Sequence, residues 1–414
     1  MRILKAFKWL YPGMWVKRWI LLSVFGIIMI SMGFVVMLLE QNPKSKLYAT
    51  IIILVGIVTV VTGIKRIIKS FITVFLPERE GELVDRIYLK RVLERGPRIT
   101  VIGGGTGLST MLHGLKEYTS NITAIVTVAD DGGSSGRLRK DFNMLPPGDI
   151  RNCLVALADA EPLMGRLFQF RFEEGDGLKG HSFGNLFIAA MSKVAGSFDA
   201  AIKESSRVLA IRGSVVPSTL DKAVLVAEHA DGRETTGESD IPKANSPIRR
   251  ISLRPANCRA TAEAIDAIRK ADAVVLGPGS LYTSIIPNLL IGNIYRELMS
   301  SKAIKIYVCN VMTQKGETDG YKASDHLRAI IDHTAPGIVN YCIVNTAKIS
   351  QEMLKKYEGE FSYPVAADIE NLKKLRVKAV EAHIISTKDY VRHDSVKLAK
   401  IIVDLVSSLK KEKN

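Results

Sequence analysis

What this 414-residue chain lacks narrows its chemistry before any motif is read. It has four cysteines, Cys153, Cys258, Cys309 and Cys342, and no two stand as a C-x-x-C pair. That spacing argues against a disulfide framework and a thiolate zinc site, and fits reduced, buried thiols. The sequence holds no H-E-x-x-H helix, no cluster of metal-ligating histidines and no recognisable Ser-His-Asp set. His113, His326 and His333 lie in helical patterns and read as surface or packing residues. No Lys/Arg run alternates with aromatics, so no nucleic-acid partner is expected. Internal repeats and low-complexity tracts are missing too, which excludes a solenoid.

Charge of one sign is in excess, and its distribution matters more than its sum. The net charge is +15, and residues 1–80, with eleven Lys/Arg against three Asp/Glu, contribute +8 of it. The same stretch holds two long uncharged runs. Trp19 to Leu39 is twenty-one residues, enough to cross a hydrocarbon core of about 30 Å as a helix. Leu47 to Ile64 is eighteen, and the intervening Glu40–Lys46 reads as a turn broken by Pro43. Arg2, Lys5, Lys8, Lys17 and Arg18 precede the first run, and Lys65, Arg66 and Lys69 follow the second. Only Lys44 and Lys46 lie between. The positive-inside bias then predicts a multi-pass membrane protein with two spans, both termini and the main domain being cytoplasmic. The first run is too long for a cleavable signal, and no Ala-x-Ala site follows it. Residues 1–76 are therefore expected to form a transmembrane hairpin in the lipid bilayer, with Ile67–Leu76 either extending its second helix or lying on the surface. Residues 77–97, charge-rich and closed by Gly96-Pro97, read as a connector.

From Arg98 onward short β-branched runs ending in glycine alternate with helical stretches. Strands are expected at 99–102, 122–128, 208–211, 223–227, 272–276, 304–309 and 340–344. Helices are expected from Thr110 and at 150–158, 184–194, 261–270, 324–333 and 395–410. Such alternation predicts an α/β fold with a doubly wound, mostly parallel sheet. Residues 228–256, polar and carrying Gly232, Gly237, Pro242 and Pro247, read as a β-rich insertion or lid.

Three glycine-rich strand ends carry the chemistry. Gly103-Gly104-Gly105-Thr106-Gly107 follows the first strand. Glycines there let backbone amides approach a phosphate, and a helix N-terminus favours the anion. Leu108 replaces the third glycine of the dinucleotide fingerprint, and the lysine of a Walker A loop is absent. Ala129-Asp130-Asp131-Gly132-Gly133-Ser134-Ser135-Gly136-Arg137 ends the second strand. Its paired carboxylates can bind ribose hydroxyls or Mg²⁺, its Gly-Ser run can form an anion nest, and Arg137 can pair with phosphate. Gly277-Pro278-Gly279-Ser280-Leu281-Tyr282-Thr283-Ser284 is the third, with Tyr282 placed to stack on a base or bond a sugar. Asn310 and Thr313–Thr318 end the next strand as a polar loop. Asp149 reads as an N-cap, with Arg151 and Asn152 in the first turn behind it. His181 reads as an acid/base, a phosphate donor or a structural residue, and Asn185 as an amide donor.

Taken in order, these segments resemble the YvcK/CofD-like family, also called the gluconeogenesis factor family. The matching stretches are 103–109, 129–137, Pro146–Asn152, His181–Asn185, 277–284 and Cys309–Thr318. The likeness is closer to the YvcK branch, and the membrane hairpin lies outside the shared core. The resemblance implies a Rossmann-like fold and a nucleotide-linked ligand, of the UDP-sugar type for the YvcK branch. It implies a regulator of growth on gluconeogenic carbon sources and of cell shape and wall synthesis, with wall-synthesis proteins as partners and a homo-oligomeric state. The alternative it implies is a Mg-dependent phospholactyl transferase using a nucleotide donor. Carried over by motif and read with the three loops, the ligand-binding set is Gly104, Gly105, Thr106, Gly107, Asp130, Ser134, Ser135, Asn152, Asn185, Gly279, Ser280 and Tyr282. Asp130 and Asp131 are the Mg²⁺ ligands if the chain is a transferase.

Overall fold

The computed structural model describes residues 16–75, 91–159, 162–359, 361–386 and 391–413. The chain forms two compact units, Met1–Lys90 and Arg91–Asn414. Most of the expected connector, residues 77–90, lies outside the described residues, as do residues 1–15.

In the first unit α1 (Val16–Leu39) and α2 (Pro43–Phe75) form a helical hairpin. Pro43 opens α2 instead of sitting in the loop, because a first helical position needs no N–H. The turn is therefore only Glu40–Asn42, and α2 continues as one helix through Ile67 to Phe75. The helices meet along small residues seven apart, Gly26 and Gly33 on α1, Ala49, Gly56 and Gly63 on α2. A Cβ on Gly26 would lie 2.8 Å from Gly56 O, so the backbones touch where side chains are missing. The outward faces are apolar: Leu21, Phe25, Ile28, Met32 and Val58 are all exposed. Both helices are long and apolar enough to cross a membrane, with mean hydropathy 2.6 over Lys17–Leu39 and 2.5 over Pro43–Ser70.

The second unit is a Rossmann-like α/β fold around a seven-stranded sheet. Its strands are β1 (Ile99–Gly103), β2 (Ile122–Val126), β3 (Ser214–Pro217), β7 (Ala273–Leu276), β8 (Ile304–Val308), β9 (Tyr341–Asn345) and β10 (Lys378–Ala382). They run in the order β10-β9-β8-β7-β1-β2-β3, every pair parallel. β1, β7 and β8 are buried throughout, because both faces of the sheet are covered. Ile99 and Val101 pack on α3 (Gly105–Leu115), α5 (Gly148–Leu157) and the C-terminal α10 (Ser395–Lys413), against Leu108, Met111, Leu154, Leu398 and Ile402. The alternate side chains Ile102, Val274 and Leu276 meet the opposite layer, including Ile268 of α8 (Ala262–Lys270) and Leu327 of α9 (Ala323–His333). Each such fully buried side chain contributes about 1.5–3 kcal/mol.

Two expected strands fall elsewhere. Residues 208–211 are not a strand: α7 (Phe198–Val208) runs up to them, and the chain enters the sheet only at Ser214. An apolar run that short cannot be told from a helix end by periodicity. The strand expected at 223–227 is real but leaves the parallel sheet. As β4 (Val224–His229) it pairs antiparallel with β5 (Glu234–Thr236) and β6 (Ile248–Arg254), so this insertion begins at 224. His333 holds it to the body by accepting from Ile251 N at 2.9 Å, and Gly316 abuts Pro242. β10 and the small β11–β12 pair (Ile385–Ser386, Arg392–His393) answer to no sequence expectation.

Candidate functional site

The strand order reverses between β1 and β7. β1, β2 and β3 step one way, and β7 to β10 step the other. At such a switch point the two strand ends send their connections to opposite faces of the sheet and leave a crevice between them. The loops on its two sides are the glycine runs after β1 and β7. They touch: a Cβ on Gly107 would lie 2.8 Å from Pro278 O, and one on Gly279 would lie 3.0 Å from Gly104 O. Only glycine admits that approach.

The crevice has a volume of about 300 Å³ and is lined by Gly105, Thr106, Gly107, Thr110, Gly279, Ser280, Asn310, Met312, Gln314 and His393. Thr106 is exposed at its mouth. Gly105 takes φ +67°, which turns strand directly into helix, so α3 starts there and not at Thr110. Its N-cap Gly104 supplies no side-chain cap, and of the first-turn amides that of Gly105 donates to the Asp149 carboxyl, leaving those of Thr106 and Gly107 to a ligand. Asn310 Oδ1 accepts from Gly279 N at 3.4 Å. His393 donates from Nε2 to Cys309 O at 3.1 Å, and burial holds its pKa down at about 4, so the ring is neutral.

The second strand's motif lies beside this crevice and is organised differently from its sequence reading. Gly133 to Asp141 is helical (α4), not an irregular nest, with Gly133 at φ +46° and no side-chain cap from Gly132. Ser134 and Ser135 are buried in its first turn. Ser134 Oγ lies 2.9 Å from His181 Nδ1 and accepts from Asn185 Nδ2 at 3.1 Å. Asn185 belongs to α6 (Phe183–Ala195), is 2% exposed, and keeps an unpartnered Oδ1. This buried Ser-His-Asn cluster brings together three sequence candidates.

Carboxylates gather between the two regions. Asp130 Oδ1 accepts from Gly132 N at 2.9 Å, and its Oδ2 is 3.1 Å from where a Cβ on Gly148 would stand. Asp149 is not the N-cap of α5, which begins at Gly148 behind Pro147, but accepts instead from the backbone amide of Gly105 at the start of α3. Its Oδ2 reaches the Gly104 turn, 2.6 Å from a Cβ there. Burial, with Asp130 adding to it, pushes the Asp149 carboxyl up to about 6. Glu238, on the insertion, is pushed up to about 8 by burial and by Asp130, Glu317, Asp149 and Asp131. Glu317 is 3% exposed, accepts from Thr283 Oγ1 at 3.3 Å, leaves Oε2 unpartnered, and is pushed up to about 7 by burial. The loop holding it is thus an interior one, not a solvated polar stretch. Glu238 was invisible in the sequence because one acid among several in a polar insertion, beside Glu234 and Asp240, gives no signal.

Three sequence candidates are corrected. Tyr282 is core: it is 3% exposed, and its hydroxyl is 2.8 Å from that of Tyr321. The chain after β7 winds inward at once, carrying Leu281 to Ile285 under the surface. Asn152 lies away from the crevice, in a separate cleft with His113 and Lys116, and accepts from Arg151 Nη2 at 2.6 Å. Asp131 is occupied as a clasp, accepting from Glu238 N at 3.1 Å, Ser239 N at 2.9 Å and the Ser239 hydroxyl. It fits a Mg²⁺ ion poorly. Among the described residues no three His, Cys, Asp or Glu side chains form a ready metal cage. Asp130 alone could share an ion with ligand phosphates, the usual mode for Mg²⁺.

Comparison with known proteins gives consistent matches. The family model for 2-phospho-L-lactate transferase CofD matches residues 99–385. A putative gluconeogenesis factor of Clostridium acetobutylicum is 47% identical over 98% of this chain and 93% of its own length. The gluconeogenesis factor of Bacillus subtilis is 50% identical, over 75% of this chain and 98% of its own. A crystal structure of a Bacillus halodurans protein is 50% identical with TM-score 0.73, covering 75% of this chain and 100% of that one. The Clostridium match includes the N-terminal hairpin, whereas the Bacillus matches span about the length of the α/β unit.

Proposed function

The chain belongs to the CofD family, in its gluconeogenesis-factor branch, and from that premise we propose that it is a membrane-tethered regulator that binds a nucleotide-linked sugar. The hairpin anchors it in the bilayer, with both ends and the α/β unit on the cytoplasmic side, where five basic residues before α1's apolar run and three after α2's would hold them. Its role is in growth on gluconeogenic carbon and in cell shape, through wall-synthesis proteins, and it works as a homo-oligomer.

One observation carries the ligand reading. Two glycine-rich strand ends abut at the switch point, and beyond the Gly105 amide, which Asp149 takes, the α3 start lines a crevice of about 300 Å³ with Thr106 and Gly107. Backbone amides at that place suit a diphosphate, and the hydroxyls of Thr106 and Ser280 suit its oxygens. A UDP-sugar is larger than this crevice alone, and the acid-lined region of Asp130, Asp149 and Glu238 next to it suits sugar or ribose hydroxyls.

The transferase reading draws on Asp130, whose position permits an ion shared with ligand phosphates. It would need Mg²⁺ and turnover. Titration of the full chain in detergent with UDP-N-acetylglucosamine, GDP and NAD, with and without Mg²⁺, separates the two. Binding of the UDP-sugar without Mg²⁺ and without its consumption is the expected result. A requirement for Mg²⁺ with consumption of a phospholactyl donor would replace the regulator by the enzyme.

A further inference from the structure

Where α4, α5 and α6 meet, three arginines converge that the crevice does not use. Arg137 of α4 donates from Nη2 to Lys179 O at 2.9 Å. Arg171 donates from Nη1 to Gly180 O at 2.5 Å. Arg151 of α5 donates from Nη1 to Ser182 Oγ at 2.5 Å. Guanidinium groups from three separate segments thus grip one short loop, Lys179–Ser182.

Gripping the loop does not account for their charge. Elsewhere in this unit arginines are ion-paired: Arg212 with Asp159 and Arg269 with Glu297, both at 2.8 Å. None of these three has a carboxylate oxygen within 4.0 Å among the described residues. Arg151 Nε is buried and has no partner at all. Burial, then the neighbouring Arg171 charge, depresses the Arg151 guanidinium below its ordinary range, while Asp149 and Asp130 oppose that from further away. His181 in the same corner is lowered by burial and by Arg137 and Arg171, against Asp141. Like charges packed without a counter-ion are costly, and a guanidinium has five donors, of which each of these uses one or two. The donors left over match the oxygens of a phosphate.

We propose that Arg137, Arg151 and Arg171 form a second anion site, which takes a phosphoryl or diphosphate group of a small molecule. It deepens the proposed ligand-binding function by adding a phosphate-binding corner beside the crevice, and rests on it only in expecting a phosphorylated ligand.

Inorganic pyrophosphate is the probe, titrated calorimetrically into the full chain in detergent at low and high salt. Wild type should bind it, more weakly as salt rises. Arg171→Gln and Arg137→Gln, both at exposed positions, should each weaken binding roughly tenfold without moving the thermal midpoint. Arg171→Lys should restore part of the loss. Absence of pyrophosphate binding in wild type overturns the proposal, as does unchanged binding in the Arg137→Gln/Arg171→Gln double variant. UDP-sugar binding that survives unchanged in a crevice variant, with the pyrophosphate response still lost in the arginine variants, would be a failure of the crevice reading alone.

Discussion

Glu238 and Glu317 share a small volume with Asp130 and Asp149, and this fixes the direction in which pH acts on the fold. Their folded pKa values, about 8 and about 7, lie above the value of 4.5 for a free glutamate. Folding therefore favours the protonated form. That contribution is complete below about pH 4.5 and is lost as pH rises through about 7 to 8. The thermal midpoint of the full chain should fall across that window, and Glu238→Gln should flatten the fall. A wild-type profile that rises over the same range would contradict the arrangement. Tyr282 gives a second test at this scale. Tyr282→Ala removes a buried ring and should destabilise the α/β unit by about 3 kcal/mol or more, while Tyr282→Phe should cost about 1 kcal/mol through the lost hydroxyl contact. A Tyr282→Ala variant that melts normally but loses nucleotide binding would return the residue to the ligand. In the sequence Tyr282 looked like a base platform because it comes just after Gly279-Ser280. The inward winding that buries it depends on long-range packing against Tyr321 and His333.

At the scale of elements, the strand ends were the legible part. β1 and β7 are short β-branched runs cut off by glycine, β2 is one followed by the Asp130–Gly133 turn, and all three glycine-rich loops lie at the carboxyl edge of one sheet. The course of the chain immediately beyond those strand ends was less legible. Gly105 and Gly133 begin helices directly, because a positive φ replaces the loop that composition suggested. The edges of the sheet were poorly legible too, since β3 and β10 are weakly patterned and take their place from partners distant in the chain. Asp131 shows the same limit, for the clasp it makes with Ser239 spans a separation of 108 residues. In the hairpin, the Gly26–Gly56 contact makes a direct prediction. Gly56→Leu should force α1 and α2 apart and speed proteolysis in the Glu40–Asn42 turn of the detergent-solubilised chain. Cleavage at the wild-type rate would show that the small-residue seam does not hold the pair together.

For the whole molecule, an apolar helical hairpin and a parallel α/β sheet are joined in one chain. The relatives divide along the same line, some matching both units and some only about the length of the second. The hairpin is thus an addition to an α/β unit that some relatives match without it, and the account depends on what that unit holds at its switch point. The most direct measurement is amide hydrogen exchange on the full chain, with and without saturating UDP-N-acetylglucosamine. Slowed exchange in both 104–110 and 277–284, with 99–103 unchanged, is the predicted result. Saturable binding that leaves both loops exchanging at their ligand-free rates would contradict it, because the phosphates would then be resting on some other part of the protein.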